Sequence, residues 1–188
     1  MAGIKGAVPR LCLLGVDILI LVALGTSEFQ FNRLLEMLDL LCDEGSINGD
    51  EIVAQIGCST YMPRNYQSFG LISHSDYQKY LDQATCLIVH GGTGCVVPAL
   101  KQGKKVIAVP RQARYGEHVD DHQFDLVDSF SAQGLILKAV DFDSLKACLK
   151  NIAEFEPVPF ASNSNRFNDL LIDFIRNGSF RHLEQTEL

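Results

Sequence analysis

A glycine-rich turn that follows an apolar run is the segment of this sequence best suited to binding an anion. The run Cys86-Leu87-Ile88-Val89 leads directly into His90-Gly91-Gly92-Thr93-Gly94. Glycines leave backbone N–H groups open to a ligand, and a helix that begins at the turn adds partial positive charge. The pattern predicts a strand, a turn and a helix that bind a phosphate or diphosphate through residues 91–94.

His90 ends the predicted strand and begins the turn. We interpret it as a hydrogen-bonding partner of the bound phosphate or sugar, and as the best local candidate for a catalytic base. The alternative is a strand-end histidine that is bonded to backbone groups only.

A second turn of small residues, Gly25-Thr26-Ser27, follows the apolar residues 18–23. It could contact the same diphosphate if both strands belong to one parallel sheet, because ligands of such sheets bind at the carboxyl ends of the strands. The turn is neither a Walker loop nor a dinucleotide-binding fingerprint, since the remaining glycines and the lysine of those motifs are missing.

Polar residues interrupt the apolar stripe of a helix that we predict over residues 117–130. His122 and Gln123 occupy stripe positions near the helix start, which favours ligand contacts for them and for the neighbouring Glu117 and Asp121. The alternative is that they bond loops and backbone carbonyls.

Two arginines near these segments are interpreted differently. Arg111 follows Val109-Pro110 in a loop that should face the same crevice, where it could neutralise phosphate charge. Arg33 lies on the polar side of its predicted helix, so we expect it to be solvated.

Glu117, His118, Asp121 and His122 also follow the i, i+3, i+4 spacing that would place metal ligands on one helix face. A metal-dependent hydrolase that uses His118 and His122 is therefore one hypothesis. No further, distant ligand is evident in the sequence, so we expect no metal and no cofactor.

The composition is that of a globular protein with one sizeable core. The chain has 188 residues, of which 47% are hydrophobic and 21% charged. A net charge of −7 argues against nucleic-acid binding, which favours a basic surface. None of the six cysteines forms a C-x-x-C pair, and most lie in apolar runs, which is typical of buried thiols in a reducing compartment.

Apolar runs alternate with helical patterns along the chain, which predicts an α/β fold with a single Rossmann-like, doubly wound parallel sheet. We expect a leader over residues 1–16, the ligand-binding domain over 17–160, and a C-terminal helix and tail over 161–188. Strands are predicted over residues 18–23, 51–56, 86–89, 106–110 and 134–138, with a short strand or loop over 69–72, and helices over 31–41, 73–84, 93–102, 117–130, 143–154 (capped by Asp143) and 163–180.

Together these segments resemble the C-terminal domains of family-28 glycosyltransferases. Within that family the sequence is similar to the short branch, which contains the PssE-type exopolysaccharide proteins and the small catalytic subunit of the dolichol-linked N-acetylglucosaminyltransferase. Cys95 stands where many members carry a serine. The matching motifs are Leu24-Gly25-Thr26-Ser27 with Phe31 and Arg33-Leu34, Ala54-Gln55-Ile56-Gly57, His90 to Gly94, Gly103-Lys104, Val109-Pro110-Arg111, and Gly116-Glu117-His118 through His122-Gln123.

The resemblance implies the C-terminal half of a GT-B glycosyltransferase, which binds the nucleotide-sugar donor, usually a UDP-sugar. It implies that both glycine turns hold the diphosphate. It also places Glu117, Asp121, His122 and Gln123 toward the ribose or the sugar hydroxyls.

The resembling systems also imply a partner. In them a membrane-associated glycosyltransferase subunit binds the lipid-linked saccharide acceptor. We therefore expect a cytoplasmic subunit, held at the cytoplasmic membrane face by its partner, that transfers a sugar in polysaccharide or glycolipid biosynthesis. The alternative role is a non-catalytic enhancer that stabilises or recruits a catalytic partner. The apolar positions of the helix over 163–180 either dock the partner or pack on their own domain.

Overall fold

The computed structural model describes residues 12–13, 16–17 and 19–160. Cys12–Leu13 (β1) and Val16–Asp17 (β2) form a short antiparallel pair, separate from the main sheet. The predicted helix over 163–180, its candidate docking surface and most of the predicted leader lie outside the described residues.

The main sheet consists of six strands, and every neighbouring pair is parallel. The spatial order is β5-β4-β3-β6-β7-β8, so β3 lies at the point where the strand order reverses. This order is that of the Rossmann fold, and it confirms the predicted fold class. The strands are β3 (Ile20–Ala23), β4 (Ile52–Gln55), β5 (Gln67–Phe69), β6 (Cys86–His90), β7 (Lys105–Val109) and β8 (Leu137–Lys138).

Five α-helices are described, and they cover both faces of the sheet. The first and last pack on one face and the middle three pack on the other. No helix in this part of the chain combines the length and hydrophobicity needed to cross a bilayer. The helices are α1 (Asn32–Asp43), α2 (His74–Gln83), α3 (Thr93–Lys101), α4 (Gln123–Ala132) and α5 (Phe142–Asn151), with short 3-10 turns at Gly49–Glu51 and Ala113–Tyr115.

The side chains of the central strands alternate between two apolar cores. In β3, Ile20 and Val22 face α1 and α5, whereas Leu21 and Ala23 face α2, α3 and α4. All four are buried because both faces of a doubly wound sheet are covered. The continuous apolar run in the sequence reflects this two-sided burial.

Two predicted helix starts are wrong. α4 begins at Gln123 rather than at residue 117, and residues 117–122 form turns before it. α5 is capped by Asp141, whose carboxylate accepts from the Ser144 N–H at 2.9 Å, and not by Asp143. The predicted cap of α2 is confirmed, because the Ser73 hydroxyl accepts from the Asp76 N–H at 3.1 Å.

Candidate functional site

A cleft of about 450 Å³ opens at the carboxyl ends of β3 and β6, where the strand order reverses. This volume is within the range of small-molecule binding sites. Its walls come from the turns after these two strands, the end of β4, the segment between β5 and α2, and the start of α3. They consist of Gly25, Thr26, Ser27, Gln55, Leu71, Ile72, His74, Tyr77, His90, Gly94 and Cys95.

The first turn is held in place by Gln55. Its side-chain Oε1 accepts from the Gly25 N–H at 3.1 Å, and its Nε2 donates to the Gly25 carbonyl at 2.8 Å. Gly25 has a φ of +75°, which other residues adopt at a cost, and a Cβ there would lie 2.8 Å from His90 Nε2. Both constraints require glycine, and they bring the first turn against the second.

Each glycine of the second turn has a different steric role. A Cβ on Gly91 would lie 2.8 Å from Val127 Cγ2, and a Cβ on Gly92 would overlap the His90 ring and lie 2.8 Å from its Nδ1. A Cβ on Gly94 would meet nothing within 4 Å. The first two glycines therefore permit close packing, whereas the third leaves open space in the wall of the cleft.

The N-terminus of α3 faces this open space. Its N-cap residue is Gly92, which supplies no side-chain cap, and Gly94 and Cys95 in its first turn line the cleft. The leading N–H groups of a helix carry partial positive charge and lack partners within the helix. An anion in the cleft could satisfy them.

His90 is a largely buried, neutral histidine between the two turns. Burial, followed by the positive charge of Arg111, lowers the pKa of His90 to about 4. Its Nδ1 has no hydrogen-bond partner, and its Nε2 lies 3.6 Å from Cys95 Sγ. Burial also raises the pKa of the Cys95 thiol to about 11, so this pair is neutral near pH 7.

Gln123 joins the His90–Gly94 turn to the loop after β7. Its Oε1 accepts from the Gly91 N–H at 3.0 Å and from the Arg111 N–H at 3.1 Å, and the residue is buried. For the side-chain oxygen of Gln123, the structure therefore agrees with the alternative interpretation, in which the residue bonds to the backbone of neighbouring loops. Gln123 holds the His90–Gly94 turn in position from below.

The prediction that Arg33 is solvated is wrong, because its side chain is paired with Glu117. Its Nε lies 2.8 Å from Glu117 Oε1 and its Nη2 lies 2.9 Å from Glu117 Oε2, while the Glu117 side chain is fully buried. Glu117 Oε2 also accepts from the Gln112 N–H at 2.9 Å. Glu117 thus ties α1 to the loop after β7, and its carboxylate has no exposed surface with which to contact a ribose or sugar.

Arg111 is also placed differently from the prediction. The residue is 1% exposed, and its guanidinium donates to the carbonyls of Leu24, Phe29, Gln30 and Glu117 at 2.9–3.0 Å. Because of these bonds, the Arg111 guanidinium lies under the turn after β3 and does not line the crevice. Its charge can still act on the cleft through the field it exerts on His90.

Asp121 and His122 lie on the loop before α4 and are not among the residues that line the cleft. Asp121 Oδ1 accepts from the Ala113 N–H at 2.8 Å. The exposed His122 ring contacts the Asp120 carboxylate instead. Of the predicted ligand residues, the structure brings Gly25, Thr26, Ser27, His90 and Gly94 together at the cleft.

One wall of the cleft is not predicted by the sequence patterns. It consists of Leu71, Ile72, His74 and Tyr77, which follow β5 or belong to α2. The signal was available, because the loop after β5 must emerge at the same sheet edge as the loops after β3 and β6. What the sequence did not reveal is how this segment folds toward β3.

Comparisons with known proteins agree with this architecture. Residues 19–174 match the family described as "Glycosyltransferase family 28 C-terminal domain". No curated protein matches the sequence significantly. Among solved structures, the chain is similar to the NMR structure of ALG13, with a TM-score of 0.55 and 17% identity over 82% of this chain and 94% of that one.

Larger enzymes are matched over only part of their length. MurG from Acinetobacter baumannii has a TM-score of 0.52 and 19% identity, over 74% of this chain and 43% of that one. The glycotransferase of kitacinnamycin has a TM-score of 0.50 and 19% identity, over 81% of this chain and 38% of that one. This chain thus spans less than half the length of these two proteins, and the likeness at such identity concerns the fold.

Proposed function

Because this chain belongs to the family of glycosyltransferase family 28 C-terminal domains, we propose that it is the donor-binding, catalytic subunit of a two-chain glycosyltransferase. In this proposal it binds a UDP-sugar, and the sugar is transferred to a lipid-linked acceptor in polysaccharide or glycolipid biosynthesis, as the resemblance to PssE-type proteins suggests. The observation that carries the proposal is the cleft where α3 begins, at the reversal of strand order.

The diphosphate of the donor fits the part of the cleft between the two glycine turns. Gly94 leaves open space there, and α3 directs its uncapped N-terminus toward that space. A leaving diphosphate gains negative charge in the transition state, so fixed N–H groups at this position would stabilise the transition state more than the ground state.

The nucleobase fits the opposite wall. Leu71, Ile72 and Tyr77 give this wall an apolar character, and Leu71 is 61% exposed beside it. Transfer of a flat aromatic base from water to such a surface costs little free energy. Backbone groups of the segment between β5 and α2 are available for selecting uracil by hydrogen bonds.

His90 suits a binding role better than that of a base. With a pKa of about 4 it stays neutral near pH 7, and a neutral imidazole can donate one hydrogen bond to a phosphate or sugar oxygen. A base with so low a pKa accepts a proton from a sugar hydroxyl poorly. We therefore assign the base to the acceptor-binding partner.

The partner is proposed to be membrane-associated, which would hold this chain at the cytoplasmic membrane face. The similarity to ALG13, which this chain covers over 94% of that protein's length, supports the proposal of a second polypeptide.

Calorimetric titration of the full chain with UDP tests donor binding, with ADP and GDP as controls. We expect UDP to bind, the other two to bind at least tenfold more weakly, and Gly94→Ala to weaken UDP binding at least tenfold, because its Cβ enters the space for the phosphate. Gln102→Ala, on the exposed end of α3, is the matched control. Equal affinity for all three nucleotides, or full affinity in Gly94→Ala, would refute the proposed site.

Activity of the complex separates a catalytic subunit from an enhancer. We expect the reconstituted two-chain enzyme to lose most of its turnover with Gly94→Ala. If the complex keeps full turnover while UDP binding to this chain is lost, the enhancer role is correct and the catalytic assignment is wrong.

A further inference from the structure

Three potential metal ligands converge on the loop that connects β7 to α4. They are His118, Asp120 and His122, and each contributes one ligand atom to a group whose members all lie within 4.8 Å of one another. The sequence spacing had suggested a different set, with Glu117 and Asp121 on one helix face. That set does not form, because residues 117–122 are turns and not helix.

The turn geometry produces the convergence. Glu117 is buried against Arg33, and Asp121 bonds to the Ala113 N–H. Glu117 and Asp121 are therefore held by contacts with other parts of the domain, whereas the ligand atoms of His118, Asp120 and His122 lie close to one another. The two imidazoles meet edge to face with ring centroids 4.7 Å apart, and Phe29 lies 5.4 Å from the His118 ring.

One distance between ligand atoms already matches a tetrahedral divalent ion. Zinc bonds to nitrogen and to carboxylate oxygen at about 2.0–2.2 Å, which separates neighbouring ligand atoms in a tetrahedral site by about 3.3–3.6 Å. His118 Nδ1 lies 3.3 Å from Asp120 Oδ1. His122 Nδ1 contacts the same oxygen more closely, and its exposed side chain has room to withdraw.

We propose that His118, Asp120 and His122 bind a divalent transition-metal ion, with zinc as the best fit. Two imidazoles and one carboxylate are donors that zinc accepts, whereas magnesium and calcium favour all-oxygen sites. Three protein ligands leave a fourth position open to water or to an anionic ligand. The inference goes beyond the proposed glycosyltransferase role and does not depend on it.

The location gives the ion a structural and an electrostatic consequence. The loop is fixed at one end by Glu117 and ends at Gln123, which holds the His90–Gly94 turn. A metal that cross-links positions 118 and 122 stiffens the loop between these two anchors. It also adds positive charge at the sheet edge where the cleft opens.

Zinc titration of the full chain, with any affinity tag removed, tests the site. We expect one zinc ion per chain, at least tenfold weaker binding in His122→Gln and in Asp120→Asn, and affinity unchanged in His74→Gln. Mutation of residues that only hydrogen-bond to a metal ligand already weakens metal affinity by about 10–100-fold. Loss of a ligand itself should therefore weaken it at least tenfold. Circular dichroism of each variant shows whether it has folded.

Cobalt substitution and a thiol control exclude binding elsewhere. The exposed Cys58 is an alternative ligand, so Cys58→Ser should leave zinc affinity unchanged, and the cobalt spectrum should show no thiolate charge-transfer band. Absence of zinc binding in the folded chain, or full affinity in a folded His122→Gln variant, would overturn the proposal. UDP titration in EDTA reports on the donor site separately, so the two proposals fail independently.

Discussion

Replacement of Arg33 by methionine distinguishes a buried ion pair from a solvated arginine. Methionine keeps much of the length of the side chain but removes the charge and both hydrogen bonds to Glu117, at 2.8 and 2.9 Å. It also removes the bonds from Arg33 to the carbonyls of Val140 and Pro110. The Glu117 carboxylate, with no exposed surface, then remains inside the domain without its partner.

The expected loss of stability is large. Removing one partner of a buried ion pair costs about 3–5 kcal/mol, whereas replacement of a solvated side chain changes stability by about 0.5 kcal/mol or less. With a urea m-value of about 2 kcal/mol/M, the midpoint of unfolding should fall by about 1.5–2.5 M. The double variant Arg33→Met/Glu117→Gln should recover about 2 kcal/mol or more, because no unpaired charge remains.

Urea unfolding followed by far-ultraviolet circular dichroism measures these differences in a chain that has no tryptophan. Arg33→Lys is a further variant, since lysine keeps the charge but not the two parallel bonds, and it should lose about 1–2 kcal/mol. A loss below about 1 kcal/mol in Arg33→Met, with an unchanged m-value, would refute the buried ion pair. The same result would support the solvated arginine that the sequence pattern predicts.

Three further predictions concern the His90–Gly94 turn. Gly92→Ala should cost about 1–3 kcal/mol because its Cβ overlaps the His90 ring, while Gly94→Ala should change stability by about 0.5 kcal/mol or less; equal urea midpoints would contradict the packing. His90, with a folded pKa of about 4 against an ordinary 6.5, takes up its proton more readily in the unfolded chain. Stability should therefore fall by on the order of 2 kcal/mol between pH 7 and pH 5, and the same fall in His90→Gln would show that His90 is not the cause. Gln123→Ala leaves the Gly91 N–H without its acceptor and should cost about 2–4 kcal/mol; hydrogen exchange at Gly91 should accelerate, and unchanged exchange would show that the bond is unimportant.

Steric and periodic patterns were read correctly from the sequence. The strand of residues 86–90 and its glycine turn could be predicted from the local sequence. A short apolar run is typical of a strand that is buried on both faces, and the glycines that follow it indicate a turn. The alternation of such runs with helical patterns was enough to predict the parallel sheet and the edge at which the cleft opens.

Polar residues were assigned less well. Arg111, Glu117 and Gln123 were predicted to face a ligand, and the structure places their polar groups against backbone and one another. Their side chains are long, so a loop position alone does not fix their direction. The partner that fixes the direction can be distant in sequence, since Arg33 lies 84 residues before Glu117.

The sequence by itself determined the fold class, the position of both glycine turns and the sheet edge where they meet. Each of these depends on periodicity and backbone freedom, which are properties of short segments. Tertiary structure alone decided which polar groups line the cleft and which support its turns through hydrogen bonds. It also decided that Leu71, Ile72 and Tyr77 form the apolar wall of the cleft. The convergence of His118, Asp120 and His122 is a third outcome of this kind. These outcomes depend on contacts between segments distant in sequence and on turns whose direction the packed core imposes.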